Sequence, residues 1–158
     1  MTKSHGNHVE SRFRCNIVEI QITQGCNNRC RYCSAAALGN YAEPEMPWPL
    51  FQLVCKRLNQ EVDGGRLILT GGEPTVHSRF ADVLAYARIT LPNWILHVQT
   101  NARGLNRWAA RMLAGSGVDS LNISIQSVDP QIHDQLVGVV GAHGEAIAGL
   151  KQVLAASP

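Results

Sequence analysis

The chain has 158 residues, 45% hydrophobic and 16% charged, with 14 Lys and Arg against 12 Asp and Glu. That length and apolar content predict one domain with a buried core and exclude intrinsic disorder. The formal charge of +2 excludes the basic excess of a non-specific nucleic-acid binder, and no apolar run approaches the roughly 18 residues of a membrane span.

Residues 1–14 read as a flexible, polar tail without the apolar stretch of a signal peptide. The first strand is predicted at residues 16–23. After it, Leu50, Leu53, Val54, Leu58 and Val62 keep helical spacing, and Pro47 and Pro49 suit a helix start. A second strand is expected at 66–70. It is followed by a helix through Phe80, Val83, Leu84 and Ala87, with Ser78 as N-cap and Pro92 as terminator. The third strand, 94–100, leads to a helix capped by Asn106 and closed by Gly115 and Gly117. The fourth, 120–126, precedes a short helix opened by Pro130 and another marked by Ile147, Leu150 and Leu154.

Four strand–helix units in succession predict an α/β fold with a parallel sheet and right-handed crossovers. The strands alternate instead of reading as continuous apolar runs. Val18, Ile20 and Ile22 oppose Glu19, Gln21 and Thr23, and Leu121, Ile123 and Ile125 oppose Asn122, Ser124 and Gln126. One face is therefore expected to be helix-covered, and the other to line a wet or ligand-filled cavity. An antiparallel sheet with one solvent face is the alternative.

Directly after the first strand comes Cys26-Asn27-Asn28-Arg29-Cys30-Arg31-Tyr32-Cys33, a CxxxCxxC pattern. The odd total of five Cys, three of them in this run, predicts a reducing, cytoplasmic compartment and metal chemistry in place of disulfides. Three thiolates in one loop suit a soft-metal centre, whereas zinc would want a fourth ligand. Cys15 and Cys55 read as small apolar residues, not as that ligand. A three-Cys site with an open position suits an iron–sulfur cubane that leaves one iron for an exogenous ligand. A zinc or redox module is the other reading.

Three further motifs follow in order: Gly71-Gly72-Glu73-Pro74 after the second strand, Thr100-Asn101-Ala102 after the third, and Ser124-Ile125-Gln126 ending the fourth. With the Cys motif, whose last Cys follows the aromatic Tyr32, they make the chain resemble the radical S-adenosylmethionine (radical SAM) enzymes over about residues 15–157. The resemblance implies a partial (β/α) barrel. It implies that Cys26, Cys30 and Cys33 hold three irons of a 4Fe–4S cluster and that SAM chelates the fourth. An added electron would then cleave SAM to methionine and a 5′-deoxyadenosyl radical, which takes hydrogen from an unknown substrate, a peptide or a cofactor precursor. The cofactor carries that chemistry, and no further catalytic residue is assigned.

By the same resemblance, Glu73 accepts a hydrogen bond from the SAM amino group, and Gly71 and Gly72 permit close backbone approach. Tyr32 would face the adenine or shield the cluster, while Ser124 and Gln126 would reach the ribose or the methionine carboxylate. Asn101 shares the polar face with Gln99 and His97, each either a cofactor contact or a hydrogen-bonded core residue. The electron donor would be reduced flavodoxin or ferredoxin. Arg12, Arg14, Arg29 and Arg31 are either its docking patch or a solvated face. His77 reads as a helix-start residue, and His5 and His8 as part of the tail.

The family core usually has six strand–helix units and a Gly-rich SAM-contacting segment at the fifth strand, and four units are visible here. Residues 15–158 are therefore expected to form the amino-terminal two-thirds of such a core, with the fourth strand edge exposed. On this reading a catalytically incomplete fragment stands as an alternative to an active enzyme.

Overall fold

Residues 15–33 and 44–156 are described in this computed structural model. The predicted tail, with His5, His8, Arg12 and Arg14, lies outside them. Four strands form: β1 (Ile17–Thr23), β2 (Arg66–Gly71), β3 (Ile95–Thr100) and β4 (Ser120–Ile123). They pair in the order β1-β2-β3-β4, and every pairing is parallel. That excludes the antiparallel alternative. It also brings the loops that leave all four strands to one end of the sheet.

Register explains the alternation. Ile20, Leu69, Val98 and Leu121 stand side by side in one row across the sheet. They face the helix layer, where Phe51, Cys55, Val83, Leu84 and Leu113 close the core. Each such side chain taken fully out of water contributes about 1.5–3 kcal/mol. The next row on the opposite face is Glu19, Ile68, His97 and Ser120. Ile68 is the apolar exception there, and His97 Nδ1 shares a 2.7 Å hydrogen bond with Ser120 Oγ.

The covering helices are α1 (Trp48–Glu61), α2 (Phe80–Thr90), α3 (Arg107–Gly115), α4 (Pro130–Val137) and α5 (Ala142–Ala156), with a 3-10 turn at Pro74–Val76. Asn106 caps α3 as expected, its side chain accepting the Ala109 N–H at 2.9 Å. Asp129 caps α4 through the N–H groups of Gln131 and Ile132, and Gly138 ends it in the left-handed region. Two expectations are corrected. Ser78 does not cap α2, because its hydroxyl and N–H are both taken by the Glu45 carboxylate, and Arg79 holds the cap position without a side-chain bond. β4 ends at Ile123, so Ser124 and Gln126 lie beyond the ladder. Ser124 still donates its N–H to Thr100 O (2.9 Å). The N–H of Gln126 turns away to His133 Nδ1 (3.1 Å). No helix among the described residues is long and apolar enough to cross a membrane.

Candidate functional site

The strand ends open onto one cavity of about 380 Å³. The loop after β1 contributes Cys26, Cys30, Tyr32 and Cys33, and the turn after β2 contributes Gly71, Gly72 and Glu73. Asn101 follows β3, and Ser124 and Gln126 follow β4. The three cysteines, Tyr32, Gly71, Gly72, Glu73, Asn101, Ser124 and Gln126 thus line the same space, whereas His97 lies outside it, bonded to Ser120. Gln24, Thr70, Gln99 and Thr100 line it too, and Val137 of α4 closes one side.

The loop and the turn are built against each other. Gly72 donates its N–H to Thr23 O (2.9 Å) and Glu73 donates to Gly25 O (2.8 Å). A Cβ on Gly71 would run into Thr23 O, and one on Gly72 into the carbonyls of Gln24 and Gly25. The close approach these glycines permit is therefore with the root of the cysteine loop. Thr23 Oγ1 accepts the Gly25 N–H (3.0 Å) and shapes the same corner.

Glu73 is 1% exposed, and both of its carboxylate oxygens accept hydrogen bonds. Oε1 accepts from Thr75 N (3.2 Å), Thr75 Oγ1 (2.6 Å) and Thr100 Oγ1 (2.7 Å). Oε2 accepts from Asn101 N at 2.6 Å. A buried carboxylate is stable only when hydrogen-bonded, and the 3-10 turn after β2 and the end of β3 supply the donors together. Ala102 adopts a left-handed φ of 59° with its methyl buried, a conformation glycine takes more easily.

Burial pushes the thiols of Cys26 and Cys30 above the ordinary cysteine range. At Cys26 the Asn28 N–H, donating to Sγ at 3.3 Å, works against this, while the Glu73 carboxylate and the other thiolates add to it. The Tyr32 phenol is pushed up to about 12, first by burial and then by Cys30 beside it. The Tyr32 residue as a whole is nonetheless 56% exposed. Among the described residues no three His, Cys, Asp or Glu side chains form a group that could hold a metal ion. Cys55 is fully buried in the core. Cys15 Sγ bonds Ile17 O (3.1 Å) at the opposite end of β1. His77 is buried, and its Nδ1 accepts the Arg79 N–H (3.0 Å), a structural bond at the start of α2.

Asn27, Asn28, Thr100 and Arg103 have no assigned role in the sequence motifs, although the first three stand within them. Thr100 was legible as the partner of Asn101 in a motif that needs a donor for Glu73. Arg103 carries no local signal, since its side-chain contacts are 42, 75 and 76 positions away.

Residues 20–157 match the Radical SAM superfamily, and the chain belongs to that family. A probable GTP 3',8-cyclase of Thermococcus kodakarensis is 33% identical over 126 residues, covering 78% of this chain and 39% of the relative. An AdoMet-dependent heme synthase of Oleidesulfovibrio alaskensis is 27% identical over 146 residues, covering 87% of this chain and 34% of its own length. Among solved structures, anSMEcpe with bound AdoMet superposes with a TM-score of 0.74 at 18% identity, over 89% of this chain and 41% of that one. That likeness establishes the fold, a partial barrel with an unclosed sheet. The chain thus spans about two-fifths or less of these proteins.

Proposed function

We propose that this chain binds a 4Fe–4S cluster through Cys26, Cys30 and Cys33, holds S-adenosylmethionine beside it, and serves a radical enzyme. The observation that supports this reading is the convergence of three thiols, a buried carboxylate and polar strand ends on one cavity. The donor set fits: a cubane places each thiolate on a different iron, so the sulfurs need not close around one ion. Bound there, the two groups supply reductive cleavage of the sulfonium and abstraction of a hydrogen atom from substrate.

The chain's own residues bind and orient. Glu73 Oε2 takes one donor in the structure, which leaves acceptor capacity for an ammonium such as the SAM amino group. Gly71 and Gly72 let the turn that carries Glu73 sit against the cysteine loop. Ser124 and Gln126 offer polar groups to the ribose and methionine ends, Asn101 lines the same wall with its side chain bonded to Asn27 and Arg103, and Tyr32 covers the loop beside Cys30. The exposed Arg29 and Arg31 present positive charge next to the thiols, suited to reduced flavodoxin or ferredoxin as donor. A reducing, cytoplasmic setting follows from that partner. The relatives named for GTP cyclisation and heme synthesis favour a cofactor precursor over a peptide as substrate.

Anaerobic reconstitution with iron and sulfide, then dithionite and SAM, tests the reading. The expected result is a brown protein with a reduced-cluster EPR signal that forms 5′-deoxyadenosine and methionine. A colourless protein retaining zinc, or a cluster that never cleaves SAM, overturns it.

A further inference from the structure

We infer that Arg103 is a positioning residue for the cysteine loop, anchoring the Cys26–Cys30 span to α5 through an ion pair with Glu145. This goes beyond the ligand assignment and rests on it only for its cluster readouts.

The loop between Cys26 and Cys30 has no secondary structure of its own. Its middle residues are held from outside. Arg103 Nη1 donates both to the Asn27 backbone oxygen and to Asn28 Oδ1, the latter at 2.7 Å. Its Nε donates to Glu145 Oε2 at 2.9 Å. In return Asn27 Nδ2 donates to Arg103 O (3.3 Å), and Asn101 Nδ2 donates to Asn27 Oδ1 (2.7 Å). One planar guanidinium thus spans the loop and a helix, which the point charge of a lysine cannot reproduce.

The anchor itself is rigid. Arg103 N bonds Asn101 Oδ1 (2.9 Å), and the Asn101 backbone is held by Glu73. Gly149 of α5 lies so close that a Cβ there would strike Ala102 O. The Arg103 side chain is 10% exposed and that of Glu145 52%. Asn28 is buried, and its N–H donates to Cys26 Sγ at 3.3 Å. Hold on Asn28 is therefore hold on the thiol environment. Losing the Arg103 side chain removes its bonds to Asn27 O and Asn28 Oδ1, leaving Asn27 held by Asn101 and the backbone of Arg29 by Val137, and so loosens the Cys26–Cys30 span at its middle. Two ligands that wander disfavour cluster assembly and alter the field of N–H groups at the sulfur, which tunes the potential of a cluster.

Site-resolved alkylation of the apo protein tests the inference without any cluster. In R103M, Cys26 and Cys30 are expected to react several-fold faster with iodoacetamide, while buried Cys55 keeps its wild-type rate. R103K is expected to fall between R103M and wild type, because it restores one donor and not the fork. E145Q, at a half-exposed position, loosens one end and shows a smaller rise. In reconstituted protein, R103M should hold less iron and show a shifted EPR line shape and reduction potential, with R103K partly restored. Equal rates at Cys26 and Cys30 in wild type, R103M and E145Q overturn the positioning role. So does a parallel rise at Cys55, which would mean general unfolding. Failure of wild type to assemble a cluster, with the alkylation pattern as expected, overturns the ligand assignment and leaves the anchor standing.

Discussion

Glu73, at the turn after β2, and Asn101, just past the end of β3, are joined by a 2.6 Å hydrogen bond from the Asn101 N–H to the buried Oε2. The other oxygen, Oε1, takes the Thr75 N–H at 3.2 Å. Each carboxylate oxygen thus holds a backbone donor that cannot rotate away. A glutamine at this position meets an N–H with its amide nitrogen whichever way it is turned. E73Q is expected to lose about 1–3 kcal/mol of stability in urea titrations, the range for a buried donor left without an acceptor. SAM affinity, measured calorimetrically on reconstituted protein, should drop about tenfold or more with the loss of the charge. Unchanged stability would show that the carboxylate is not holding the two strand ends together.

The two glycines before Glu73 make a second contrast. A methyl on Gly72 meets the carbonyls of Gln24 and Gly25, whereas Gly144, in the first turn of α5, has nothing within 4 Å. G72A is expected to destabilise by about 1–3 kcal/mol, as overpacking against backbone does. G144A should be neutral or stabilising by up to about 1 kcal/mol, from helix propensity. Paired thermal melts check the difference in sign. Equal effects would mean that the approach of turn and cysteine loop is not tight.

What was legible in the sequence follows physical range. The strands were readable because their side-chain period is two and one face is dry, so Leu96 and Val98 mark the buried face of β3. Asn106 was readable as a cap because its bond closes within three residues. Ser78 looked equally good, yet Glu45, 33 positions away, takes both its polar groups. The end of β4 was overextended for a similar reason, since Gln126 bonds a histidine of α4 instead of continuing the ladder. The cavity-lining motifs were readable because each sits at a strand end. The Arg103 anchor was not, because nothing local in the sequence joins it to Asn28.

Exposed Arg29 and Arg31 flank Cys30, and their backbones are fixed. Arg29 N donates to Val137 O (2.8 Å) and Arg31 N to Leu136 O (3.0 Å). Charge reversal at the side chains should therefore leave these two backbone bonds in place. The R29E/R31E double variant is expected to be reduced by an acidic flavodoxin about tenfold more slowly at low salt, with a flattened ionic-strength dependence. Stopped-flow reduction across a salt series measures both. An unaltered salt slope removes these arginines from the docking face.

His133 contributes a pH dependence to the stability of the fold. It is 1% exposed, and its Nδ1 accepts the Gln126 N–H at 3.1 Å, a bond only the neutral ring can make. Burial lowers its pKa first and the neighbouring His143 adds to this, with Asp134 opposing. In the unfolded chain the ring titrates near its ordinary value of 6.5. Above that value both states are neutral and the stability is intact. As the pH falls below it, the unfolded chain takes up a proton that the folded ring refuses, so stability declines until the folded pKa is passed. The slope from one such histidine is at most about 1.4 kcal/mol per pH unit. His97, lowered by burial and by Arg66, contributes with the same sign. Asp119 and Asp134 are held low by the backbone N–H groups of Leu96 and His143, and they act only under more acidic conditions. H133N keeps an acceptor for Gln126 without the titration. Urea unfolding from pH 7.5 to 5.5 should therefore show a shallower decline in H133N than in wild type, with the His97 share left. Identical slopes in the two proteins would place the pH sensitivity elsewhere.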